Sequence, residues 1–224
     1  MDSIRYIGHS GFELNLKGSV VLIDPFFGAG MREKCKIPLI TPSLIKKADI
    51  ILLTHEHTPH CDAAAIKEIA ERTGASVVGP SITLKKIDIN QRQKVDVGVG
   101  DSFLLKGVDI SVTKAAHPQS QYPVGYIVSA GDSPKVYHAG DTYQFAEMQS
   151  INVDFAILPI GGGYTMDIID AANASKLIRT KFIIPMHYNT YDRISQDVSD
   201  FIRRVSRAKV VAMEPDQSIE LRRV

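Results

Sequence analysis

Short apolar or alternating runs open the chain. Ile4 to Ile7, Phe12 to Leu16 and Val20 to Ile23 are separated by turns that contain glycine. Runs of this length and period predict β-strands, here an antiparallel meander closed by Asp24-Pro25. Thr41 to Ala48 predicts a short helix, with Pro42 at a first-turn position where the missing N–H has no intrahelical partner anyway. Ile50-Ile51-Leu52-Leu53 predicts a buried strand that stops abruptly at Thr54-His55-Glu56-His57. Asp62 to Arg72 predicts a helix with Asp62 as its N-cap and Gly74 just past its end. Ser76 to Val78 predicts another buried strand. From about Val95 to Ala130 several strands follow, with turns at Gly98, Gly107 and Gly131. Lys135 to Tyr137, Phe155 to Leu158, Phe182 to Ile184 and Val210 to Ala212 predict further strands. Ile169 to Arg179 and Ser195 to Arg207 carry apolar residues at helical spacing. Strands first, then alternating strands and helices, twice over, predict a mixed α/β (α+β) architecture of packed sheets with helices outside.

No linker, low-complexity segment or short-period repeat interrupts this pattern, so the expectation is one domain over residues 1–224. A chain of 224 residues with 44% hydrophobic and 23% charged positions suits an ordinary globular protein. Lys plus Arg number 26 against 25 Asp plus Glu. That balance asks for neither nucleic acid nor an anionic membrane as a partner. The N-terminus lacks a basic stretch leading into a long apolar run, and no apolar stretch nears membrane-spanning length; a cytoplasmic location is expected. Homo-oligomerisation is left open. The two cysteines, Cys35 and Cys61, make no disulfide framework.

Seven histidines change the picture more than composition does. His55, His117 and His187 each follow an apolar run: ILLT, ISVTKAA and FIIPM. Asp141 stands four residues after Tyr137, at the end of KVYHAGD. Open α/β sheets place their sites at the carboxyl ends of strands, so separate segments each deliver a His or Asp where sites are built. His55 and His57 project to one side if the backbone there is extended. His60 follows a turn and precedes the helix. Three imidazoles within six residues repel one another when charged, and a divalent cation is the natural partner for neutral imidazoles with a carboxylate. A lone His is ordinarily a surface or satisfied core residue; the joint pattern reverses that expectation. Asp141 in AGDT has an alternative role as turn chemistry, and Asp62 is expected to cap its helix rather than bind a metal.

THEHTPH resembles the His-x-His-x-Asp-His signature of the metallo-β-lactamase superfamily. His117, Asp141 and His187 match its later landmarks in order, and the resemblance covers nearly the whole chain. Within the superfamily, GHSGFEL, LIDPFF, YHAGDT, LPIGGGYTMD and IPMHYNT are similar to a branch of small metal-dependent hydrolases akin to ascorbate-6-phosphate lactonases. The resemblance implies a four-layer αββα sandwich with metals at one edge between the sheets. It implies one divalent cation on His55, His57 and His117 and a second on His60 and His187, bridged by Asp141, with zinc or manganese as candidate ions. A water or hydroxide between the metals would be the nucleophile. Asp141, His60 and His187 would then stand closest to the chemistry.

The signature's Asp is Pro59 here, and proline offers no donor atom. Cys61 and Asp62 follow His60 too closely to be expected to replace it. This implies one tightly and one weakly held cation. Asp24 in LIDP resembles a family Asp that orients a ligand His, with a strand-end turn as its equal alternative. His9 and His138 resemble positions around the site that face substrate or support ligands. Gly161, Gly162 and Gly163 predict a flexible loop without phosphate-loop spacing. Tyr188 and Asn189 either contact substrate or pack. The leading expectation is a hydrolase acting on an ester-like bond, such as a lactone or phosphoester, in a small-molecule substrate. The alternatives are a metal-binding protein whose catalysis is weakened or lost through Pro59 and, lower, an RNA-processing nuclease, which the absence of a long basic block disfavours.

Overall fold

In the computed structural model, which describes residues 1–28 and 40–222, the chain begins with the expected meander: β1 (Ser3–Gly8), β2 (Gly11–Leu16) and β3 (Ser19–Ile23), all antiparallel. Then come β4 (Ile50–Leu52), helix α1 (Ala63–Thr73), β5 (Ser76–Gly79), a one-turn α2 (Ser81–Leu84) and β6 (Lys94–Asp96). The second half repeats the plan. It opens with β7 (Ser102–Leu105), β8 (Val108–Lys114), β9 (Val124–Ser129) and β10 (Val136–His138). It continues with β11 (Phe155–Pro159), α3 (Ile168–Leu177), β12 (Phe182–Met186), α4 (Val198–Arg204) and β13 (Lys209–Val210). A last strand, β14 (Ser218–Glu220), returns to pair with β1.

Among the described residues these strands form two seven-stranded sheets, ordered β14-β1-β2-β3-β4-β5-β6 and β13-β12-β11-β10-β9-β8-β7. The parallel members read as unbroken apolar runs, IIL, FAILP and FIIPM, because crossover helices bury both of their faces. Three apolar clusters define the layers. One lies between the sheets, with Phe12, Leu14 and Ile23 facing Tyr126, Val128 and Ile157. A second packs Ile66 and Ile69 of α1 onto Leu22, Ile51 and Val77. A third packs Ala171 and Ala174 of α3 and Phe201 of α4 onto Tyr137, Leu158 and Ile183. The result is the expected αββα sandwich. No described helix is long and apolar enough to cross a membrane.

Asp62 caps α1 by accepting from the Ala65 amide, and Gly74 ends the helix in the left-handed conformation, as expected. The helix expected over Thr41 to Ala48 shrinks to a single 3-10 turn, Pro42–Leu44. Arg72 of α1 donates to the Ile45 carbonyl and to the Pro42 carbonyl, which also accepts the 3-10 bond from the Ile45 amide, so this segment finds partners without continuing as a helix. Cys35 lies outside the described residues.

Candidate metal centre

The chemistry-bearing residues sit just beyond the carboxyl ends of six strands: His9 after β1, Asp24 after β3, His55 after β4, His117 after β8, Asp141 after β10 and His187 after β12. All six strands end at one rim of the sandwich, which is where strand-end loops from both sheets meet. His57, His60, His117, Asp141 and His187 line a cleft of about 630 Å³ there, and His55 lies buried beneath them, its Nε2 3.8 Å from Asp141 Oδ2.

The hydrogen-bond network assigns a tautomer to each imidazole of the first cluster. Asp24, in ionised form an acceptor only, takes the Thr54 hydroxyl proton at 2.6 Å. Thr54 Oγ1 can then only accept, so His55 Nδ1–H donates to it at 3.0 Å. The Tyr164 carbonyl accepts from His117 Nδ1 at 3.1 Å, and the Gln119 carbonyl accepts from His57 Nε2 at 3.2 Å. Each outer nitrogen is thereby a donor, and each inner nitrogen carries a lone pair. Those inner nitrogens converge: His55 Nε2 lies 3.1 Å and His117 Nε2 3.3 Å from His57 Nδ1. Burial holds the His55 and His117 imidazoles below their ordinary pKa, so neither readily takes a proton there. Three lone pairs aimed at one point repel unless a cation lies between them, so these residues fit a divalent metal.

Glu56 fixes the second wall of this nest. Its carboxylate accepts from Ser120 Oγ at 2.7 Å and the Gln121 amide at 2.9 Å. It thereby ties the His55–His57 loop to the loop that offers the Gln119 carbonyl.

Asp141 stands between this cluster and a second one. Its Oδ2 is 3.2 Å from His60 Nε2, 3.3 Å from His187 Nε2 and 3.8 Å from His55 Nε2. Burial opposes its ionisation, but His187 and His60 beside it hold the carboxyl well below the usual carboxylate range. His60 Nδ1 donates to Asp24 Oδ2 at 2.7 Å, with Ser10 Oγ at 3.1 Å. Burial disfavours charge on His60, yet the Asp141 and Asp24 carboxylates flanking it outweigh that and push its pKa up to about 10. Asp24 therefore does more than end a strand: one carboxylate orients His60 directly and His55 through Thr54.

His9 lies closer to the centre than a supporting role requires. It joins His60 and His187 in one group whose donor atoms all fall within 4.8 Å of one another. His138 does not face the cleft. Its Nε2 donates to the Ser10 carbonyl at 2.9 Å and its Nδ1 accepts from the Gly140 amide, which braces the His9-Ser10 corner from below. Tyr188 is half-buried against the cluster under α3 and α4, and Asn189 is exposed, accepting from the Gln196 amide. Tyr164, Tyr191 and Arg193 line the cleft in their place. Gly161 packs so closely on the His187 carbonyl that a Cβ there would displace it, so the glycine run owes one member to close approach. Cys61 is buried under α1, where burial pushes the thiol up to about 12, and Asp62 caps that helix; neither replaces the missing signature carboxylate.

Comparison with known proteins places these features in a family. Residues 3–187 match the model of the Beta-lactamase superfamily domain. A UPF0173 metal-dependent hydrolase of Pyrobaculum arsenaticum is 35% identical over 230 residues, covering 97% of this chain and 99% of its own. A protein of the same name from Pyrobaculum islandicum is 37% identical with the same coverage. Among solved structures, Igni18, a metallo hydrolase from Ignicoccus hospitalis, superposes with a TM-score of 0.84 at 34% identity and 97% coverage of both chains. The chain belongs to the metallo-β-lactamase superfamily and, along nearly its whole length, to the UPF0173 group within it.

Proposed function

We propose that this protein is a metal-dependent hydrolase that cleaves an ester-like bond, a lactone or phosphoester, in a small molecule. His55, His57 and His117 hold one divalent cation, zinc or manganese. Asp141, His60 and His187 serve a second position and stand closest to the chemistry. The observation that carries this reading is the convergence of three imidazole lone pairs from separate segments beside a buried carboxylate. The names of the Pyrobaculum relatives and of Igni18 support it. A cation held there supplies Lewis acidity and lowers the pKa of water to about 7.

The chain's own groups then position the reactants. Asp141 Oδ1 is buried and has no hydrogen-bond partner among the described residues, so it is placed to accept from an attacking water. Asp24 and Thr54 accept from the Nδ1–H groups of His60 and His55, so each ring presents Nε2 inward. The cleft has the size of small-molecule sites, and Arg193 at its mouth favours a substrate bearing an anionic group. Stripping the protein with a chelator should abolish turnover of lactone and phosphodiester substrates, and added zinc or manganese should restore it. No turnover on any such substrate with any ion would overturn the hydrolase reading.

Pro59 favours a second reading, a cation-binding protein with weakened catalysis, because a ring without a donor atom lines the cleft. The Pro59→Asp variant separates the two. A gain in kcat/KM of more than about tenfold marks decayed catalysis, whereas the hydrolase reading expects less than about threefold.

A further inference from the structure

We propose that His9 Nε2 stands in for the carboxylate that Pro59 lacks, so that His9, His60 and His187 form a second three-imidazole site sharing Asp141 with the first. This rests on the metal-dependent reading above and concerns only how the second cation is held.

Four observations converge on His9. Its donor atom lies within 4.8 Å of those of His60 and His187. Its ring is buried, and its Nε2 has no hydrogen-bond partner among the described residues. Its other nitrogen is engaged at 2.7 Å by Thr190 Oγ1, the kind of outer partner that orients a metal-binding imidazole. Its backbone is clamped: the His9 carbonyl accepts from Tyr6 Oη at 2.9 Å and from the His187 amide at 2.8 Å, and φ is 57°. A buried imidazole nitrogen left without a partner costs about 1–3 kcal/mol, and a left-handed non-glycine backbone a similar amount. Both are retained at His9, as they are at its neighbour His187.

The substitution changes the charge of the centre. Two dications would share one carboxylate instead of two, with six neutral nitrogens around them. Nitrogen-rich donors of this kind favour zinc and cobalt over manganese and magnesium.

The test strips the full chain with a chelator and titrates it with cobalt(II) chloride. Visible absorption follows binding, and elemental analysis counts metal after free ion is removed. The wild type is expected to bind about two equivalents. His9→Asn should keep the first step and lose the second by more than about 10²-fold in affinity; asparagine tolerates the left-handed backbone but is too short to reach the ion. Adding Pro59→Asp to His9→Asn should return the second equivalent. Thr190→Val leaves the His9 ring in place and should weaken only the second step, by about 10–100-fold, so it carries the test if His9→Asn does not fold. Two unchanged steps in His9→Asn, or an unchanged second step in Thr190→Val, would overturn the proposal. A wild type that binds one equivalent would overturn it and leave the hydrolase reading standing; a wild type that binds none would overturn both.

Discussion

Asp141→Asn is expected to lower kcat/KM by about 10³-fold, roughly 4 kcal/mol of transition-state stabilisation, while the metal-free protein stays folded. Asparagine keeps the shape of the side chain but brings a neutral amide to the atom that lies 3.2 Å from His60 Nε2 and 3.3 Å from His187 Nε2. The charge shared by the two clusters is lost. In its place an N–H donor can face those nitrogens, and a lone pair that has a hydrogen-bond partner no longer needs a cation. Metal affinity therefore falls for two reasons at once. Saturating zinc should raise the wild-type Tm, since a ligand at about 100 Kd contributes roughly 2.7 kcal/mol of stability, and should leave the variant's Tm nearly unchanged. Equal metal-induced shifts in both proteins would show that Asp141 holds no ion.

The strand-end histidines were legible in the sequence because the parallel strands are buried on both faces. Their unbroken apolar runs stop where the chain leaves the sheet, so a His or Asp at the stop is already at the rim. His55, His187 and Asp141 declare themselves in this way, whereas His117 follows β8, an antiparallel strand with one partly exposed face, and stands out only by its place at that strand's carboxyl end. The groups that orient them do not. The Gln119 and Tyr164 carbonyls are backbone atoms and carry no residue-type signal. Thr190 meets His9 across 181 residues of chain, a pairing that only the folded sandwich creates. Tyr188 and Asn189 are adjacent to His187 in sequence, yet His187 at φ 57° turns the chain so that its neighbours leave the cleft. β14 is three residues long and pairs with the other end of the chain, so no local period marks it.

Backbone strain falls on the same residues. His9, Asp24 and His187 all adopt positive φ, at 57°, 44° and 57°. Each such position costs on the order of 1–3 kcal/mol and persists only where surrounding contacts hold it. Here the contacts are mutual: the His187 amide donates to the His9 carbonyl, and Asp24 accepts from the Thr54 amide at 2.8 Å. Residues that leave a strand and must at once turn a side chain back into the rim have few other backbone solutions.

Asp24→Asn is expected to disable both clusters from beneath without touching either ion, lowering metal affinity by about 10–100-fold at each. Asp24 Oδ2 accepts from Thr54 Oγ1 and from His60 Nδ1. An amide nitrogen at that atom reverses both bonds. His60 Nδ1 must now accept, so the ring gives up its Nδ1 proton and keeps the one on Nε2, the nitrogen aimed at Asp141. Thr54 Oγ1 must accept from the amide, which frees its hydroxyl proton for His55 Nδ1 and sends the His55 proton to Nε2, inside the first cluster. Asp24→Ala removes the acceptor altogether and leaves buried donors unpaired, so it should destabilise the metal-free protein by about 3–5 kcal/mol. The two variants separate orientation from stability. Asp24→Asn should lose metal with a smaller drop in metal-free Tm than Asp24→Ala. In the metal-free variant, nitrogen-15 NMR should show His55 protonated at Nε2 and His60 unprotonated at Nδ1. Unchanged ring tautomers together with wild-type metal affinity would refute the relay from Asp24 through Thr54 to His55.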